Sequence, residues 1–258
     1  GQSGTWVHKV VNDAYHHGSI EESCHEWQTV NISAHICETS AISQPCLRLL
    51  QVFDSQFPVG AFVHSGGLET YGHLPLDTRG LGRLMGNQVH LGWGRLDLAA
   101  ACLAWRSCDE SEVLEGLCEE VDASKIIPGQ RSSSLRLGRR MLTLLARLYP
   151  ERVSGRPLPK PHQAIVVGVF CGRMGIPESD CALALAQSTV TASLAAATRS
   201  MELSPGQAQE ILTELQPSLV RQVETVRADP EASLFSATPA LDIRCHQQAY
   251  LRTRLFQS

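Results

Sequence analysis

HQAIVVGVFCGRMG, residues 162–175, is the stretch on which the fold class turns. By composition it reads as a buried strand, because Ile165, Val166, Val167 and Val169 are β-branched. Its length, and the lack of any second stretch with which a strand would pair, favour a helix buried on all sides.

The flanking sequence is helical. In CLRLLQVFDSQF (46–57), Leu49, Val52, Phe53 and Phe57 recur at helical spacing until Pro58. From Thr78 to Trp105 one stripe holds Leu81, Leu84, Met85, Leu96, Ala99 and Leu103, with Gly82 and Gly86 allowing another backbone to approach. Asp109 is a candidate N-cap for a short helix carrying Val113, Leu114, Leu117, Cys118 and Val121. Leu137, Met141, Leu144, Leu145 and Leu148 form the clearest apolar face, expected to start after the serines at 132–134 and to stop before Pro150. Residues 152–161, with prolines at 157, 159 and 161, are expected to mark a boundary between two helical halves. SPGQ at 204–207 is a capping box, and Pro217 is expected to interrupt the helix that follows, which resumes with Leu219, Val223 and Val226.

No stretch shows sustained period-two alternation and no repeat of roughly 20–50 residues occurs. The fold class expected is all-α: a single globular helical domain of roughly eight to ten helices over residues 45–258, with 1–44 a polar, disordered or atypical tail.

A net charge of -4 and a pI near 6.2 give no reason to expect nucleic acid or an anionic membrane as partner. Lys9, Lys125 and Lys160 are the only lysines, so the positive charge is nearly all arginine, the side chain suited to forked carboxylate contacts at protein interfaces. Nine cysteines without a CxxC pair fit reduced thiols in the cytosol, and the apolar run 164–171 is too short to cross a bilayer.

The turn-rich stretch FPVGAFVHSGGLETY (57–71) collects His64, Ser65 and Glu69 among glycines. Three readings are open: a nucleophile with its base, a ligand for metal or phosphate, or a backbone shaped for a partner. Phosphate loops of the GxxxxGK[ST] type, HExxH zinc sites and the GxSxG elbow are all missing. Ser65 follows His64 directly, and adjacent residues seldom reach attack geometry, yet a hydrolase using His64, Ser65 and Glu69 remains the alternative. Glu69 also suits the first turn of a helix. In the tail, His16, His17, Cys24, His25, His35 and Cys37, with Cys46 just beyond, are soft ligands without diagnostic spacing.

Asp54, Ser55, Pro58, Gly60, Phe62, His64, Ser65, Gly67, Leu68 and Glu69 together resemble the signature of the urease accessory protein UreF family. SSSLRLGRRML (132–142), His162 with Gly168, and the closing Asp242, Ile243, His246, Tyr250, Arg254, Leu255, Phe256 and Ser258 extend the resemblance over residues 46–258. It implies an all-helical, dimerising, cytoplasmic protein that is not an enzyme and has no cofactor of its own. It further implies an adaptor between UreD (also called UreH), docked on apo-urease, and the GTPase UreG, which carries nickel. Regulation of GTP hydrolysis and transient nickel passage through a tunnel are implied with it. Phe62, where some members carry tyrosine, and Arg254 are implied to face UreG. The segment 239–258, with Asp242, Ile243, His246, Tyr250, Leu255 and Phe256, is implied to face UreD. Asp54, Ser55, Pro58, Gly60, His64, Ser65, Gly67 and Glu69 are implied to form the signature turn or line a passage.

Overall fold

A computed structural model describes residues 44–59, 66–72, 76–153, 157–248 and 250. Among these residues every regular element is helical: α1 (44–53), a 3-10 turn (Leu68–Tyr71), α2 (Thr78–Leu91), α3 (Trp93–Arg106), α4 (Ser111–Ser124), α5 (Pro128–Leu148), α6 (Pro150–Val153), α7 (Gln163–Arg173), α8 (Glu178–Ser200), α9 (Pro205–Ala228) and α10 (Pro239–Gln248). They belong to the second of the chain's two units, Pro45–Ser258, except Gln44 at the start of α1.

The stretch at 162–175 is the helix α7, and all residues from Ala164 to Cys171 are buried. A helix satisfies its own N–H and C=O groups within the segment, so a β-branched run can be surrounded by side chains without a pairing strand. His162 precedes it in extended conformation, and Gly175, at φ 66, ends it with Ile176 N–H bonded to the Cys171 carbonyl at 2.9 Å. That left-handed position favours glycine.

α7 is shared between two apolar clusters. Ala164, Ile165 and Val169 join one cluster built on α2, α3, α4, α8 and α9, while Val166, Val167, Phe170 and Cys171 join another with α1, α5 and the segment Phe57–Val59. The approach of α7 to α3 is close because the crossing is built of small residues. A Cβ on Gly168 would run into the Ala101 carbonyl and lie 2.9 Å from Ala104 Cβ. At the next turn a Cβ on Gly172 would lie 2.8 Å from the Trp105 carbonyl.

Several local expectations are corrected. The helix expected from Thr78 to Trp105 is two helices meeting at Gly92, a corner so tight that a Cβ on Gly94 would strike the Val89 carbonyl. Asp109 does not cap α4; Glu110 stands at the N-cap without a side-chain bond, and the Asp109 carboxylate instead accepts from Arg173 Nε at 3.2 Å. α5 begins at Pro128, which supplies the first-turn proline, so the serines lie inside its opening turns. Residues 152–161 do not separate two halves, since a Cβ on Gly138 of α5 would strike the Pro161 carbonyl just before α7. Pro217 sits inside an unbroken α9, whose buried Leu212, Leu215, Leu219 and Val223 anchor the helix on both sides of the missing N–H. The capping box is as expected: Ser204 Oγ accepts from Gln207 N–H at 3.2 Å, and Gln207 Oε1 accepts from Ser204 N–H at 2.9 Å. Gly82 and Gly86 face α9, nearest to Ile211 at 4.0 Å and Leu215 at 3.9 Å.

By length and composition α8 is apolar enough to cross a membrane. Here Cys181, Leu185, Val190 and Leu194 are core residues, so one face of the helix is packed against the rest of the bundle.

Candidate functional site: the glycine turn and the C-terminal helix

α1 ends in a turn set by Asp54, whose Oδ1 accepts from Gln56 N–H at 2.6 Å while its carbonyl accepts from Phe57 N–H at 3.0 Å. Phe57 and Val59 are thereby driven into the core, leaving Asp54, Ser55 and Pro58 exposed. Gly60, Phe62, His64 and Ser65 lie outside the described residues, so the paired His64 and Ser65 of the hydrolase reading have no described geometry.

The chain continues with Gly66 at φ 57 and Gly67 at φ 88, both left-handed. Gly67 is required twice over: its conformation favours glycine, and a Cβ there would approach Cys245 Sγ to 2.5 Å and the Cys245 backbone to 3.3 Å. The turn therefore lies directly against α10. Thr70 Oγ1 donates to the Gly67 carbonyl at 2.7 Å and locks the 3-10 turn from within.

Three contacts fasten α10 across it. Gln248 Nε2 donates to Glu69 Oε2 at 3.2 Å, with both residues buried. Cys245 Sγ donates to the Gly66 carbonyl at 3.3 Å and accepts from Gln130 Nε2 of α5 at 3.0 Å. Burial pushes the Cys245 thiol up to about 11, so it stays a neutral donor. Arg244 completes the set, 5.4 Å above the Tyr71 ring. Glu69 is thus a buried group of the 3-10 turn, hydrogen-bonded to α10.

α10 buries only Leu241 and Gln248. Ile243 is 60% exposed, Tyr250 just beyond the helix is 87% exposed, and His246 is exposed as well. Asp242 is half-buried, its carboxyl raised by burial and opposed by the hydroxyl of Thr238, which donates at 3.4 Å. Arg254, Leu255 and Phe256 lie outside the described residues.

Beside the turn opens a cavity of about 860 Å3, walled by Asp54, Ser55, Gly66, Leu68, Gln130, Leu241 and Asp242. Its far wall is the α8 segment 187–193, whose hydroxyls are satisfied by their own helix: Thr189 donates to the Leu185 carbonyl at 2.8 Å and Thr191 to that of Gln187 at 2.9 Å. One charged pair reaches this cavity, Lys125 Nζ on Asp97 Oδ1 at 2.6 Å.

Next to that pair sits His162, fully buried at 0% exposure. Its Nδ1 lies 3.2 Å from Ser134 Oγ. Its Nε2 lies 3.3 Å from Asp122 Oδ1 yet has no aligned hydrogen-bond partner. Burial, then the Lys125 charge, hold the imidazole below its ordinary value, against the pull of Asp97 and Asp122. Among the described residues no group of three or more His, Cys, Asp and Glu side chains could hold a metal ion; of the soft ligands named in the tail region only Cys46 is described, exposed on α1.

The glycines and Glu69 were visible in sequence. Cys245, Gln248, Gln130 and the Asp97–Lys125 pair were not, because each works through a partner remote in the chain, and neither glutamine nor a lone cysteine carries a spacing signal.

The UreF family model matches residues 76–216, more than half of the chain. The urease accessory protein UreF of Bacillus sp. (strain TB-90) is 29% identical over 223 residues, covering 82% of this chain and 98% of that protein. The urease accessory protein UreF of Haemophilus influenzae (strain PittEE) is 29% identical over 223 residues, 81% of this chain and 94% of its own. That of Mycolicibacterium vanbaalenii is 28% identical over 212 residues, with 81% and 97% covered. With an all-helical fold and a family match spanning most of its bundle, this chain belongs to the UreF family.

Proposed function

We propose that the chain is a non-enzymatic adaptor in assembly of the urease nickel centre. It joins UreD/UreH, docked on apo-urease, to the GTPase UreG, acts as a cytoplasmic homodimer, and regulates GTP hydrolysis by UreG. Nickel is cargo in this reading, in transient passage, and not a resident cofactor. The observation that carries it is the division of labour in and just after α10: Cys245 and Gln248 bind the glycine turn, whereas Ile243 and, beyond the helix, Tyr250 are left exposed. A helix held to its own chain by a few polar contacts, with an isoleucine and a nearby tyrosine open to solvent, is a form suited to docking in a partner's groove.

The test is reconstitution from purified components. The full chain is expected to co-purify with UreD and, in the resulting complex, to recruit UreG; truncation after Ala240 is expected to abolish capture of UreD. Retention of UreD by the truncated chain sinks the assignment of 239–258. Arg254→Ala is expected to weaken UreG recruitment, and normal recruitment with lower GTP turnover reassigns Arg254 from docking to catalysis.

A further inference from the structure

α5 carries five arginines and no aspartate or glutamate over its 21 residues. Arg131 turns inward to the Lys125 carbonyl at 2.8 Å. The other four, Arg136, Arg139, Arg140 and Arg147, fall with Thr143 within about 100° of the helix circumference, along roughly 16 Å of its length. The opposite side of the same helix holds the buried Leu137, Met141 and Leu145.

Several cations elsewhere are neutralised. Arg106 and Arg227 share Glu178 at 2.7 and 3.1 Å, Lys125 holds Asp97 at 2.6 Å, Lys160 holds Asp122 at 2.9 Å, and Arg173 lies 3.2 Å from Asp109. On the α5 face, Arg136, Arg139 and Arg147 pair with no carboxylate among the described residues, and Arg140 reaches only the Val59 carbonyl at 3.4 Å. Like charges spaced by three and four residues repel by a few tenths of a kcal/mol per pair, a cost that nothing on the helix itself offsets. Arg139, Arg140 and Arg147 are exposed and Arg136 is half-exposed.

We infer that this arginine face docks an acidic helical segment of a protein partner. Guanidinium forks one helical turn apart match carboxylates repeated at the same period on a facing helix, each contact bidentate. A long polyanion fits less well. The chain has a net charge of -4, and α5 carries no aromatic residue on which bases would stack. The inference goes beyond the adaptor reading and does not depend on it, since neither UreD nor UreG is its probe.

The test uses the full chain and a labelled synthetic helical peptide with glutamates at i, i+4, i+7 and i+11, followed by fluorescence anisotropy at low and physiological salt. A peptide of the same composition with scrambled spacing, a single-stranded RNA and vesicles containing phosphatidylserine are the competitors. The patterned peptide is expected to bind, and R136Q/R139Q/R147Q to weaken it at least about tenfold with a shallower salt dependence. Arginine-to-lysine changes at the same positions, which keep the charge and lose the fork, are expected to fall between. If the triple variant loses its helical circular dichroism, Arg139→Gln alone replaces it and is expected to weaken the peptide measurably. Equal binding of the scrambled peptide, unchanged binding by the variants, or preference for RNA or vesicles overturns the inference.

Discussion

The crossing of α3 with α7 and the seating of α10 on the glycine turn both depend on a glycine, but they are held by opposite means. At the crossing, Gly168 lets two helices meet along buried apolar side chains, including Leu98, Ala101 and Ile165, and the contact is strong because it is extensive. At the turn, Gly67 lets α10 approach through a few polar contacts, and only Leu241 and Gln248 of that helix are buried. A wide apolar contact opens only with the whole fold, whereas a helix held by isolated hydrogen bonds, each worth about 1 kcal/mol net, opens locally. That difference suits the first region to a scaffold and the second to a surface that exchanges partners.

The comparison breaks most visibly at Gly168. Gly168→Val forces side-chain atoms into the Ala101 carbonyl and Ala104, and is expected to destabilise the fold by about 3 kcal/mol or more. Thermal unfolding would show a large drop in Tm for the entire helical signal; a Tm near that of the parent chain refutes the close crossing.

Gly67→Ala is the matched change in the other region. The residue must hold φ near 88 against the usual preference, at about 1–2 kcal/mol, and its Cβ meets Cys245. Amide hydrogen exchange is expected to accelerate over 239–248 while exchange in α7 stays slow. Acceleration in both places together would mean that α10 and the crossing form one cooperative unit.

The smallest effect concerns His162, which enters α7 at the buried crossing but is polar like the groups around α10. Its folded pKa lies below the ordinary 6.5. Above that value both folded and unfolded states carry neutral imidazole, and stability is unaffected by the shift. As pH falls below 6.5 the unfolded chain takes a proton that the native one resists, so stability is lost until the folded pKa is passed. His162→Gln is expected to flatten urea-denaturation midpoints between about pH 6.5 and 5, a window above that of the carboxylates. An unchanged slope in the variant assigns the pH dependence to other groups.

Periodicity alone was enough for the fold class, because α5 and α9 display their buried faces in sequence and the β-branched run of α7 had no strand to pair with. It misplaced boundaries wherever a tertiary contact overrode a local signal. Asp109 looked like a cap but is engaged by Arg173, and Pro217 looked like a break but is held in line by leucines on either side. The glycine turn was legible as a turn, while its role as the seat of α10 was not.

By itself the sequence determined an all-helical bundle, a glycine-rich turn near residue 67 and the family to which the chain belongs, since these rest on spacing and residue type within short windows. Tertiary structure alone decided that Glu69 is bonded to Gln248, that Gly67 receives Cys245, and that four of the five arginines of α5 share one outward face while Lys125 finds Asp97. The physical reason is that hydrogen bonds and ion pairs depend on the few ångströms separating two groups, and that separation is fixed by how helices pack, whatever the distance between the residues along the chain.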